Sequence, residues 1–201
     1  SAKYVIGGHS QGGQAALFAA SLAKSWTPEL KLAGTVAMAP VSHLGEQADL
    51  LRNLDLTGFS AISSIVLRGA QVSQPSLNVP ALLTPEATAL WPQTLTNCLP
   101  DLGKPESFGG LMAKQFFLAD ADLTPLVAYL SAQDAETLTI GGRVLVLQGL
   151  ADGTVLPVFT DPMVTDLKAK GAKVTYKTYK GIDHGGIATN AASTKDALAF
   201  I

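Results

Sequence analysis

A chain of 201 residues, 47 % hydrophobic and 15 % charged with a formal net charge of -2, has apolar mass for a generous core and no disordered composition. Its 14 basic side chains fall singly among 16 acidic ones, which excludes a nucleic-acid stripe or a polybasic membrane patch as the working surface. The longest apolar runs, such as residues 15–20 and 144–147, are far shorter than a bilayer span requires, and a single cysteine, Cys98, leaves no internal disulfide and no cysteine-based metal cluster.

Residues 3–7 predict a buried strand. Residues 14–24 predict a helix whose Ala15, Ala16, Ala19, Ala20 and Ala23 permit close approach to a sheet. Between them stands Gly8-His9-Ser10-Gln11-Gly12, which reads as a nucleophile elbow: a serine on a sharp strand-to-helix turn, with Gly8 and Gly12 expected to leave the room such a turn needs. Residues 32–40 form a second apolar run, continuous rather than alternating, as expected when helices cover both faces of a parallel sheet. Residues 42–139 have another character, with Pro75, Pro80, Pro85, Pro92, Pro100 and Pro105 separating helical pieces over 44–54, 59–71, 85–95, 111–119 and 124–132. A stretch of that length between two sheet strands predicts a separate helical cap. Residues 143–148 give a third strand, 158–170 a helix ended by Gly171, 173–179 an alternating lysine-studded strand suited to a sheet edge, and 190–201 a closing helix. The expected fold class is α/β, a mostly parallel sheet with flanking helices built from 1–41 and 140–201, carrying the inserted cap of 42–139.

A serine hydroxyl needs a base to take its proton, and the base needs a third group to fix its tautomer. The chain has three histidines. His184, in Gly181-Ile182-Asp183-His184-Gly185-Gly186, follows the fourth strand on a glycine-rich loop, where the active-site groups of an open α/β sheet gather. His9 reads as a structural or pocket-shaping neighbour of Ser10, and His43 as a residue of the cap junction. Asp152, in Gly149-Leu150-Ala151-Asp152-Gly153-Thr154-Val155, lies on the loop after the third strand, where it serves either as the orienting acid or as a turn or N-cap residue. Asp161 and Asp183 are alternatives, one deep in the next helix and the other adjoining the histidine. No cofactor and no metal is called for.

These stretches resemble the α/β-hydrolases, and among them the secretory lipases. Gly8-His9-Ser10-Gln11-Gly12-Gly13 is shared by many hydrolases. Residues 28–34 leading into the second strand, the long helical insertion, Val146-Leu147-Gln148-Gly149-Leu150-Ala151-Asp152, and Tyr179-Lys180-Gly181-Ile182-Asp183-His184 are more particular to the lipase group. The resemblance implies a partial α/β-hydrolase fold, its carboxyl half, with Ser10 as nucleophile, Asp152 as orienting acid, His184 as general base and the Gln11 amide as one oxyanion donor. It implies a secreted enzyme acting on an ester or lipid and a second oxyanion donor from an amino-terminal half upstream of Ser1. Cys98 by itself reads either as a buried or idle thiol or as the partner of a cysteine in a segment outside this sequence. His9, Phe116, Phe117 and Val155 are the candidate substrate-binding residues, the two phenylalanines drawn from an apolar cap whose residues serve either as ordinary core or as an acyl tunnel. An acyl thioesterase, a serine peptidase of the same triad order and a non-catalytic hydrolase-fold fragment are the competing readings.

Overall fold

Four apolar runs become strands and the segments between them helices, and the computed structural model describes residues 2–51 and 58–201 of this arrangement. In chain order the elements are β1 (Lys3–His9), α1 (Gln11–Trp26), β2 (Lys31–Met38), α2 (Leu44–Leu51), α3 (Phe59–Ser73), α4 (Pro85–Leu90), α5 (Leu99–Leu102), α6 (Thr124–Ser131), β3 (Arg143–Gly149), α7 (Pro157–Ala169), β4 (Lys173–Tyr179), α8 (Gly186–Thr189) and α9 (Ala191–Phe200). They divide into two compact units, Ser1–His43 with Asp134–Ile201, and Leu44–Gln133.

In the first unit the strands pair in parallel in the order β1-β2-β3-β4. The continuous apolar character of β3 has a direct cause, since successive side chains point to opposite faces and both faces are covered. Val144 and Val146 pack with Leu17 and Ala20 of α1 and with Met163, Val164 and Leu167 of α7. Leu145 and Leu147 pack on the other face with Val36, Ile187 of α8 and Ala197 of α9. Each large aliphatic side chain buried this way is worth about 1.5–3 kcal/mol, so the two layers hold the sheet from both sides. Gly171, at φ +90°, ends α7 with its N–H donating to the Lys168 carbonyl, while the Ala172 N–H reaches that of Leu167. β4 alternates in burial and forms one edge of the sheet.

The second unit is a set of short helices around a core of Leu67, Leu77, Val79, Leu102, Phe108, Phe116 and Leu126. Two expectations change here. The helix expected over 85–95 stops at Leu90 and continues as a 3₁₀ turn, Trp91–Leu95, because Pro92 has no N–H to give the Thr88 carbonyl. The helix expected over 111–119 is replaced by a single 3₁₀ turn, Ala113–Gln115, and a bridge between Leu83 and Phe117. Its backbone spends its hydrogen bonds across the chain: Thr84 N–H donates to the Phe116 carbonyl at 3.1 Å and Leu118 N–H to that of Leu82 at 2.9 Å. The helix expected over 44–54 is α2 through Leu51, and residues 52–54 lie outside the described residues.

Candidate active site

Ser10 stands between the last residue of β1 and the first of α1 at φ 61°, ψ -126°, a conformation that costs a non-glycine residue on the order of 1–3 kcal/mol and persists only where its surroundings hold it. They do so through the backbone. The Ser10 N–H donates to the Met38 carbonyl of β2 at 2.8 Å, and the Ser10 carbonyl accepts from Gly13 and Gln14. The two glycines expected to make room divide the work unequally. A Cβ on Gly8 would overlap the Gly12 carbonyl, whereas a Cβ on Gly12 would meet nothing within 4 Å. Steric need therefore rests on Gly8, with Gly13 next, where a Cβ would approach the Met38 carbonyl and Pro40 at 3.1 Å.

The loops after β3 and β4 are laced together. Leu150 N–H donates to the Tyr179 carbonyl at 2.9 Å and Ala151 N–H to that of Ile182 at 3.0 Å, while Gly149 lies so close to Ile182 that a Cβ would overlap its carbonyl. Asp152, its side chain fully buried, closes a turn by accepting through Oδ1 from the N–H groups of Thr154 at 2.9 Å and Val155 at 2.8 Å. Its Oδ2 lies 2.8 Å from His184 Nδ1, and His184 Nε2 lies 2.9 Å from Ser10 Oγ. An ionised carboxylate only accepts, so Nδ1 carries the proton and Nε2 is left to accept from the serine hydroxyl. The imidazole side chain keeps 20 % exposure.

The structure brings Ser10, His184 and Asp152 into one hydrogen-bonded line, and the other candidates take other posts. His9 donates from Nε2 to the His184 carbonyl at 2.7 Å, its ring centroid 4.5 Å from that of His184, so it braces the histidine's backbone. Val155 is buried, its N–H on Asp152 and its side chain in the core beneath the sheet. Phe116 is 2 % exposed and stacks with Phe108 in the core of the second unit, and the half-buried Phe117 lies edge-on against Phe116. Asp161 accepts from the Tyr176 hydroxyl at 2.6 Å and Asp183 from the Gly186 N–H at 2.7 Å. His43 lies 3.1 Å from Glu136 and beside Phe159. The Gln11 N–H, at the first position of α1, has no preceding turn to supply an acceptor and belongs to the set of helix-end donors suited to an anion. Sequence reasoning overlooked Gln148, whose Nε2 lies 3.3 Å from Asp152 Oδ2, and Thr160, which donates to Gln148 Oε1 at 2.9 Å. Their one signal was a polar residue inside the apolar run of β3.

A parallel sheet covered on both faces, with a strained serine on the turn after one strand and an acid and a histidine after two later ones, defines the α/β-hydrolase fold. The model of the secretory lipase family matches residues 1–102, and the chain belongs to that family. It is 28 % identical over 208 residues to the secreted triacylglycerol lipase LIP5 of Malassezia globosa, an alignment covering 98 % of this chain and 43 % of that protein. Among solved structures it is similar to Candida antarctica lipase A, at 20 % identity and a TM-score of 0.75 over 90 % of this chain and 44 % of that one. The rice cell wall degrading esterase LipA from Xanthomonas oryzae gives 15 % identity and a TM-score of 0.75 over 99 % of this chain and 55 % of that one. The chain thus spans about half the length, or less, of the relatives it matches. Among the described residues no helix is long and apolar enough to cross a membrane.

Proposed function

We propose that this chain carries the reacting centre of a secreted carboxylic ester hydrolase of lipase or esterase type, with Ser10 as nucleophile, His184 as general base and then acid, and Asp152 as the acid that orients it. The observation that carries the reading is the line Asp152 Oδ2 to His184 Nδ1 at 2.8 Å and His184 Nε2 to Ser10 Oγ at 2.9 Å, on segments that leave the carboxyl ends of β3, β4 and β1. Membership of the secretory lipase family and the naming of the Malassezia relative as a secreted triacylglycerol lipase support the ester substrate and the extracellular setting.

In the reaction Ser10 Oγ attacks the ester carbonyl as its proton passes to His184 Nε2. The carbonyl oxygen becomes an anion facing the Gln11 N–H at the positive end of α1. Collapse of the tetrahedral species transfers the proton from His184 to the departing alcohol; water, deprotonated by the same nitrogen, then attacks the acyl carbonyl, and His184 returns that proton to Ser10 Oγ as the acid leaves. Asp152 stays ionised and stabilises the imidazolium that forms at each step. A second oxyanion donor, worth about 3 kcal/mol of transition-state stabilisation, comes in this reading from the further part of the sheet that the relatives' greater length supports. In this reading the unit Ser1–His43 with Asp134–Ile201 serves as the catalytic core and Leu44–Gln133 as the inserted helical unit.

A fluorophosphonate probe tests the nucleophile: the folded chain is expected to be labelled and Ser10→Ala not, and labelling that persists in that variant sinks the assignment. Turnover of p-nitrophenyl esters of rising chain length tests the substrate class, a steep fall with length leaving a short-chain esterase. Faster cleavage of the matching anilides would point to a peptidase, and absence of both labelling and turnover to a binding module.

A further inference from the structure

Gln148 is the last residue but one of β3, fully buried, in a strand where every neighbour from Val144 to Leu147 is apolar. A buried amide is costly unless all its groups find partners, so its partners disclose its task. Its Nε2 lies 3.1 Å from the Gly149 carbonyl, 3.1 Å from the Val155 carbonyl and 3.3 Å from Asp152 Oδ2. All three are acceptors, which fixes the amide with its NH2 towards the Asp152 loop and its oxygen away from it. That oxygen accepts the hydroxyl proton of Thr160, itself fully buried on α7, at 2.9 Å. A relay of three buried side chains therefore runs from α7 through β3 to the oxygen that holds His184.

We propose that Gln148, oriented by Thr160, is a positioning residue for the reacting centre: it clamps the turn from Gly149 to Val155 and, by donating to Asp152 Oδ2, fixes the carboxylate oxygen that faces His184 Nδ1. Asp152 Oδ1 is already taken up by the Thr154 and Val155 N–H groups. Without Gln148, Oδ2 has the imidazole N–H alone, and the carboxylate gains freedom to swing about its own turn. The two N–H protons of the amide serve three acceptors, so the Asp152 bond is a shared one. Its strength depends on how firmly Thr160 polarises the far end of the amide. The inference rests on the proposed roles of Asp152 and His184.

The test compares Gln148→Met, which keeps length and apolar fit but has no donor, with Thr160→Val and Thr160→Ser in the full chain. The first readout is the low-field Nδ1 proton of His184 by NMR, identified by its loss in His184→Asn. Because a carboxylate free to swing holds the imidazole less firmly, the resonance is expected to move upfield in Gln148→Met, by less in Thr160→Val, and not at all in Thr160→Ser, which restores the hydroxyl. The second readout is the rate of fluorophosphonate labelling at Ser10, expected to fall on the order of tenfold to a hundredfold in Gln148→Met and to recover in Thr160→Ser relative to Thr160→Val. Folded variants with an unmoved Nδ1 proton and parental labelling overturn the proposal. Should Gln148→Met fail to fold, Thr160→Val decides by the same two readouts. The proton signal does not depend on turnover, so a parent chain that resists labelling refutes the proposed function while a moved signal still supports the relay.

Discussion

Ser10 holds a backbone conformation that its type disfavours, and the neighbour that makes it possible is Gly8 rather than the symmetric pair of glycines that the motif brings to mind. Gly8→Ala is expected to destabilise the chain by more than about 4 kcal/mol, since the clash is with backbone that cannot yield. Gly12→Ala is expected to stay within about 1 kcal/mol of the parent, the new methyl facing open space and favouring the helix. Thermal denaturation of the two variants checks both, and a Gly12→Ala as damaging as Gly8→Ala would show that the elbow needs both glycines for backbone freedom. At this scale the sequence disclosed the residue types and their order, Ser10 before Asp152 before His184. It could not disclose which glycine is sterically essential or that Gln148 turns towards Asp152, because both depend on atoms that arrive from distant parts of the chain.

Elements are joined by contacts that can be weighed one at a time. α9 is tied to β4 through Asp196, which accepts from the Lys177 ammonium at 2.6 Å and from the Tyr179 hydroxyl at 2.6 Å. The Lys177 bond first, and the Tyr179 bond second, hold its carboxyl below the ordinary 3.8. A carboxyl depressed in the folded state stabilises above its unfolded value, and that stabilisation disappears as the pH falls through the folded one. Asp196→Asn is therefore expected to lower the melting temperature at pH 6, and the gap from the parent is expected to close as the pH falls through and below the depressed value of the folded state. A gap that persists in acid would assign the effect to packing instead. In the second unit Phe116 is core, and Phe116→Ala is expected to cost about 3–5 kcal/mol of stability by denaturant titration. A loss of less than about 1 kcal/mol would return it to the role of a pocket wall. The helix expected over 111–119 failed for a reason of the same scale: its residues are good helix formers, yet Phe116 and Leu118 bond to the 82–84 segment, and a single sequence does not reveal which distant backbone competes for those groups.

Across the whole molecule protection is expected to follow the sheet order. Amides of Thr35–Ala37 and Val144–Leu147 sit in strands paired on both sides and are buried, so they are expected to exchange slowest, ahead of β1 and β4. Hydrogen exchange read by mass spectrometry checks this, and equal protection in β1 would point to pairing of its second edge. The parallel sheet was legible because doubly covered strands write themselves as unbroken apolar runs, and the candidate triad because each member follows a strand end. What the sequence determined by itself was local: strand and helix periods, the glycine-flanked turn at Ser10, the residue types and the order of Ser10, Asp152 and His184. Only the tertiary structure decided that Asp152 and not Asp161 or Asp183 meets His184, that His9 braces a backbone carbonyl, and that Gln148 and Thr160 stand behind the acid. Those outcomes are set by which loops the strand register brings side by side, and that register is fixed by packing summed over the whole sheet.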